Sequence, residues 1–128
     1  MRDTSTVPAR VYVVEDSPII VALLSDLIRD TGGLVVGHAD ASSVAIAEIA
    51  YLHPDVVTID IDLRRGTGLD VLRALADGHE KPPVRIVLSN LPTEEYQREA
   101  KALGAEYVLD KARQIRDLLR ILELDSTH

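Results

Sequence analysis

Pro54-Asp55-Val56-Val57-Thr58-Ile59-Asp60-Ile61-Asp62-Leu63-Arg64-Arg65-Gly66-Thr67-Gly68 decides the reading of this chain. The near-continuous apolar run from Asp55 to Asp60 suits a strand covered on both faces, as in a parallel sheet. It breaks off at two carboxylates, Asp60 and Asp62, and enters a glycine-containing loop. Before it, Ser42-Ser43 is expected to cap a helix reaching about Leu52, with Ala45, Ile46 and Ile49 as its apolar positions. His53-Pro54 breaks that helix. After it, Leu69, Leu72 and Leu75 recur at helical spacing, and Asp77-Gly78 ends the helix they predict.

Further out the alternation continues. Arg10 to Glu15 and Leu34 to Ala39 read as strands. Between them Asp16-Ser17-Pro18 opens a helix, with proline tolerated in the first turn. It carries Leu24, Leu27 and Ile28 inward as far as Thr31, and Gly32-Gly33 stops it. Past the Lys81-Pro82-Pro83 linker, Val84 to Ser89 is a fourth strand. Thr93 caps a polar helix reaching Leu103, which Gly104 stops. Glu106 to Leu109 is a short edge strand. A last helix from about Ala112 to Leu124 has Ile115, Leu118, Leu119 and Leu122 as its core stripe, with Arg113, Arg116 and Arg120 toward solvent. Five strands alternating with five helices predict a doubly wound α/β domain with a parallel sheet in the order 2-1-3-4-5.

A chain of 128 residues is expected to form one domain, here residues 10–124 between tails at 1–9 and 125–128. Cysteine is absent, which excludes disulfides and thiolate metal sites and fits a reducing compartment. Four Tyr are the only aromatics, so an aliphatic core of Val, Ile, Leu and Ala is expected. The net charge of −7 argues against nucleic acid or an anionic membrane as a direct partner. No apolar run approaches the ~20 residues of a membrane span. The N-terminus has no apolar segment resembling a signal peptide. A cytoplasmic protein is expected.

Doubly wound sheets bind ligands at the carboxyl ends of their strands, where the strand order switches. In the expected order those ends carry Glu15-Asp16, Asp60 with Asp62 just beyond, Ser89-Asn90, and Asp110-Lys111. Glu15, Asp16 and Asp60 converge on neighbouring strands. Such a cluster raises a pKa or recruits a cation, and oxygen ligands open to water suit Mg²⁺. Lys111 adds a second positive charge and Ser89 a neutral donor. A carboxylate nucleophile, Mg²⁺, an ammonium and a hydroxyl are the parts of a phosphoryl transfer to an aspartate. Each residue has a plainer reading. Asp16 alone would be a helix cap, Asp60 a turn former, Ser89 a strand end and Lys111 a solvated lysine; their convergence favours chemistry. Gly66-Thr67-Gly68 is no dinucleotide fingerprint, because the third glycine would fall at Val71. The four His show no ligand spacing.

From about Arg10 to Leu124 the chain resembles a response-regulator receiver domain. The family's acidic pair matches Glu15-Asp16, its phosphoacceptor Asp60, its Ser/Thr Ser89 and its Lys Lys111. The glycine eight residues after the acceptor matches Gly68, and this sets the register on Asp60 rather than Asp62. The resemblance implies a flavodoxin-like fold and Mg²⁺ held by Glu15, Asp16, Asp60 and the Asp62 backbone carbonyl. It also implies phosphoryl contacts from Ser89, Lys111 and Asn90. The implied donor is a phosphohistidine on a histidine kinase or histidine phosphotransfer protein. Output would be a phosphorylation-dependent contact with a protein target, and the protein a monomer or weak dimer. Ile19, beside the acidic pair, is a hypothetical hydrophobic contact for the phosphodonor, and Tyr107 a second partner contact.

The chain departs from the family at several places. Arg64 stands where a proline is common. Ala112 follows Lys111 in place of proline, so a trans bond or an altered loop is expected there. Val108 occupies the aromatic switch position, with Tyr107 one residue earlier. Asn90 replaces a small residue, and Asp62 and Leu91 occupy positions that tune dephosphorylation. With few residues after the last helix, no attached output domain is expected.

The sequence also admits two alternatives. A pseudo-receiver would be an interaction module that is never phosphorylated. Asp60-Ile61-Asp62 also resembles the Asp-x-Asp start of haloacid-dehalogenase-type phosphohydrolases, but the chain is short for that fold and lacks its downstream acidic motif.

Overall fold

Five parallel strands form one sheet in the order β2-β1-β3-β4-β5. They are β1 (Arg10–Val14), β2 (Leu34–Ala39), β3 (Val56–Asp60), β4 (Val84–Ser89) and β5 (Tyr107–Asp110). The helices between and after them are α1 (Pro18–Asp30), α2 (Ser42–Leu52), α3 (Gly68–Ala76), α4 (Glu94–Ala102) and α5 (Ile115–Ser126). This is the expected fold, and the strand order is the expected one. The computed structural model describes residues 8–76, 82–90, 93–111 and 115–126. The Asp77-Gly78 stop, Lys81, Leu91, Arg113, the bond from Lys111 to Ala112 and residues 1–7 and 127–128 lie outside the described residues, as do the side chains of residues 115, 116 and 123–126.

The period-two alternation of strand side chains builds two cores. Val11, Val13, Val56, Ile86 and Leu88 meet Leu24 and Ile28 of α1 and Leu118, Ile121 and Leu122 of α5. Tyr12, Val14, Val57, Ile59 and Val87 meet Ala45 and Ile49 of α2, Val71, Leu72 and Leu75 of α3, and Ala100 of α4. All five residues of β3 are buried, as its apolar run predicts. Burying one such Val, Leu or Ile side chain contributes about 1.5–3 kcal/mol.

Several local expectations are corrected. The core is not purely aliphatic, because Tyr12 is fully buried. Its hydroxyl donates to Glu48 Oε1 at 2.5 Å, and room for the ring comes from Gly37, where a Cβ would lie 2.9 Å from Tyr12 Cε2. Burial and the Glu48 carboxylate push this phenol well above its ordinary pKa. Ala41, not Ser42, is the N-cap of α2, and it makes no side-chain cap bond. Ser42 lies buried in the first turn, its backbone N–H donating to Arg65 O at 3.0 Å. β5 runs one residue later than expected and includes Asp110. Ile121, outside the expected stripe of α5, is buried with Leu118 and Leu122.

Candidate functional site

The strands end together at one edge of the sheet. β1 leads into Glu15, whose backbone N–H donates to Ala39 O at 3.0 Å and continues the ladder. Asp60 closes β3 opposite Leu88, and Ser89 closes β4 opposite Asp110. The backbone N–H of Lys111 donates to Ser89 O at 3.0 Å, which brings the Lys111 side chain back across the edge. Glu15 and Asp60 are buried and Asp16 is half-buried. One carboxylate oxygen from each of the three lies within 4.8 Å of the others.

One ammonium serves this acid cluster. Lys111 Nζ lies 2.6 Å from Glu15 Oε1 and 3.2 Å from Asp60 Oδ2. The Glu15 contact is the shorter of the two, so Oε1 is held by the ammonium. The other oxygen, Oε2, accepts from the Ser17 backbone N–H at 3.1 Å. Asp60 Oδ1 accepts from the Asp62 N–H at 3.1 Å. Burial, and then the Glu15 charge, push Asp60 up from 3.8 to about 6, against the opposing pull of Lys111 and the Asp62 amide. Burial works against the charged Lys111, but Glu15 and Asp60 outweigh it and raise the pKa.

The cluster opens into a cleft of about 430 Å³ lined by Glu15, Asp16, Ser17, Ile20, Asp60, Asp62, Asn90 and Lys111. Six of these residues were singled out from the sequence. Ser17 and Ile20 were not. Their signal was available, since both follow the acidic pair in the first turn of α1, where Ser17 Oγ caps the Ile20 N–H. Ser89 is buried beside the cleft but does not line it; its hydroxyl faces the Asn90 carbonyl at 3.5 Å. Ile19 is 79% exposed outside the cleft. Tyr107 is exposed at the opposite end of its strand.

Gly68 is needed for close approach rather than for a turn. A Cβ there would sit 2.5 Å from the Asp60 carbonyl oxygen. The turn itself is made by Gly66, at φ +83°. An all-oxygen donor set from three converging carboxylates fits a hard cation of the Mg²⁺ type.

The profile of the response regulator receiver domain matches residues 11–123. This chain belongs to that family, the receiver domains of two-component response regulators. It is 35% identical over 106 residues to a protein-glutamate methylesterase/protein-glutamine glutaminase of Syntrophus aciditrophicus, covering 80% of this chain and 30% of that protein. It is 33% identical over 121 residues to the transcriptional regulatory protein PdtaR of Mycobacterium tuberculosis, covering 94% of this chain and 58% of that protein. The chain thus spans only part of the length of these relatives. Its structure superposes on the response regulator domain of Thermotoga maritima CheB with a TM-score of 0.83, at 25% identity, covering 95% of this chain and 98% of that one. Among the described residues no helix is long and apolar enough to cross a membrane.

Proposed function

We propose that Asp60 is the phosphoacceptor of this receiver domain and that it takes a phosphoryl group from a phosphohistidine. The observation that carries this is a buried carboxylate at the end of β3, held between the Lys111 ammonium at 3.2 Å and the Asp62 amide at 3.1 Å, among two further carboxylates. A carboxylate oxygen of Asp60 attacks phosphorus. The bond from phosphorus to the donor imidazole breaks, and its electron pair stays on the ring nitrogen, which takes a proton from solvent. Lys111 neutralises oxygens of the arriving group, and Asn90 contacts it from the cleft mouth. The Ser89 hydroxyl binds a phosphoryl oxygen by turning from its long contact with the Asn90 carbonyl. Glu15, Asp16, Asp60 and the Asp62 carbonyl would hold Mg²⁺, whose charge would screen the negative charge shared by acceptor and phosphoryl group.

In this reading the protein is a signalling phosphoacceptor in the cytoplasm rather than an enzyme acting on a separate substrate, and it loses the phosphoryl group later by hydrolysis. Ile19 on α1 contacts the phosphodonor, a histidine kinase or histidine phosphotransfer protein. Tyr107 lies on the surface offered to a downstream protein. Incubation with acetyl phosphate tests the central step. The intact mass should rise by one phosphoryl group only when Mg²⁺ is present, and Asp60→Asn should show no rise. Transfer from a kinase at the wild-type rate in Ile19→Asp would remove the donor contact.

One observation favours a second reading: Ser89 does not line the cleft. A pseudo-receiver would gain no mass under any condition and bind no beryllofluoride.

A further inference from the structure

We propose that the outer face of α2 is a self-association surface, on which two copies of this chain pair reversibly with their α2 helices antiparallel about a two-fold axis near Ala47. Ser42, Ala45 and Ile49 turn this helix toward the sheet. At 3.6 residues per turn the opposite pole is Val44, Ala47 and Tyr51. Polar residues belong at the solvent pole of a surface helix. Here Val44 is 47% exposed, Tyr51 is 84% exposed and Ala47 is exposed between them.

Charge selects a second copy as the occupant. At a net charge of −7, two copies repel over most of their surfaces. Along α2 that repulsion is small, because its one charged residue is Glu48, a carboxylate already engaged by the Tyr12 hydroxyl. By contrast α4 carries Glu94, Glu95, Arg98, Glu99 and Lys101. The ends of α2 are self-complementary. Asp40 and Arg65 are exposed at its N-terminal end, where Arg65 O accepts the Ser42 N–H. His53 and Asp55 are exposed at its C-terminal end. An antiparallel pair sets Asp40 against His53 of the second copy and Arg65 against its Asp55, and opposes the two helix dipoles.

The small Ala47 lets the axes approach to about 8 Å, with Tyr51 seated beside Val44 of the second copy. The two-fold axis makes the contact isologous and closed. A single helix face offers less than the ~800 Å² per partner of a standard stable interface. The dimer is therefore weak and concentration-dependent.

Sedimentation velocity on the full chain, from low micromolar to millimolar concentration, tests this. The weight-average mass should rise toward that of a dimer. Tyr51→Asp should stay monomeric at the highest concentration with an unchanged circular dichroism spectrum. Tyr107→Asp, on the opposite edge of the sheet, should associate like wild type. So should Asp60→Asn, which separates this result from the phosphoacceptor reading. Because the chain has no cysteine, Ala47→Cys should form disulfide dimers under mild oxidation much faster than Ala102→Cys, an exposed site on α4. A wild-type protein monomeric at every concentration would overturn the proposal and leave the face to a different protein. Equal cross-linking rates for the two cysteine variants would overturn it even if Tyr51→Asp failed to fold.

Discussion

The two ends of the sheet treat charge in opposite ways. At the amino end Arg10 and Arg85 are each met by oxygens placed to receive them. Arg10 Nη1 donates to Leu52 O and His53 O at 2.9 Å each, tying the C-terminus of α2 to β1. The Arg10 backbone N–H donates to Asp55 Oδ2 at 2.9 Å, and Arg85 Nε donates to Glu106 Oε1 at 3.1 Å. At the carboxyl end three carboxylates converge and a single lysine reaches two of them, Glu15 and Asp60. The first arrangement holds strands in place. The second keeps unfavourable electrostatics in the folded state, which a cation bound among the carboxylates would relieve. A protein built only for stability would not bury that acid.

Removing one cation from each end sharpens the contrast. Lys111→Met leaves Glu15 and Asp60 buried without a counter-charge and should lower stability by about 3 kcal/mol in urea unfolding near neutral pH without Mg²⁺. Arg85→Met releases a Glu106 that is already 39% exposed, so the expected loss is about 1 kcal/mol or less. Equal losses would break the comparison. Gly68→Ala drives a methyl against the Asp60 carbonyl and should cost about 2 kcal/mol. It should also slow phosphorylation, because relieving the clash displaces the end of β3. The smallest effect is expected at Thr58, fully buried on β3 with a hydroxyl that has no hydrogen-bond partner. Thr58→Val should raise stability by about 1 kcal/mol, read as a higher urea midpoint with an unchanged slope.

Much of this was legible in the sequence because the physics is local. The apolar run before Asp60, the proline after Ser17 and the glycines after α1 and α4 mark their elements within a residue or so. The acids converge because parallel strands deliver their ends to one edge, so topology alone brought Glu15, Asp16, Asp60 and Lys111 together. What stayed hidden depends on contacts distant in sequence. Ser42 has the composition of a cap, but the pairing of Ala41 with Arg65 from the β3–α3 loop places it inside the helix. Gly66 and Gly68 are two residues apart, and only the fold reveals that one makes the turn while the other makes room. Tyr12 is buried because Gly37 on the neighbouring strand and Glu48 on α2 accommodate its two ends.

The most direct measurement is the thermal stability of wild type and Asp60→Asn across pH, with and without Mg²⁺. The Asp60 carboxyl rises from 3.8 to about 6 on folding, so the folded state holds this proton more tightly than the unfolded state does. The stability it contributes is present below pH 3.8, is lost as pH rises through about 6, and stays absent above. Without Mg²⁺, Asp60→Asn is therefore expected to melt higher than wild type near pH 7.5, by the equivalent of about 2 kcal/mol, with no such gain at acid pH. Adding Mg²⁺ should raise the wild-type midpoint and leave the variant nearly unchanged. A variant less stable than wild type at pH 7.5 without metal, or an equal response of both proteins to Mg²⁺, would contradict the view that the acid end stores repulsion for a bound cation to relieve.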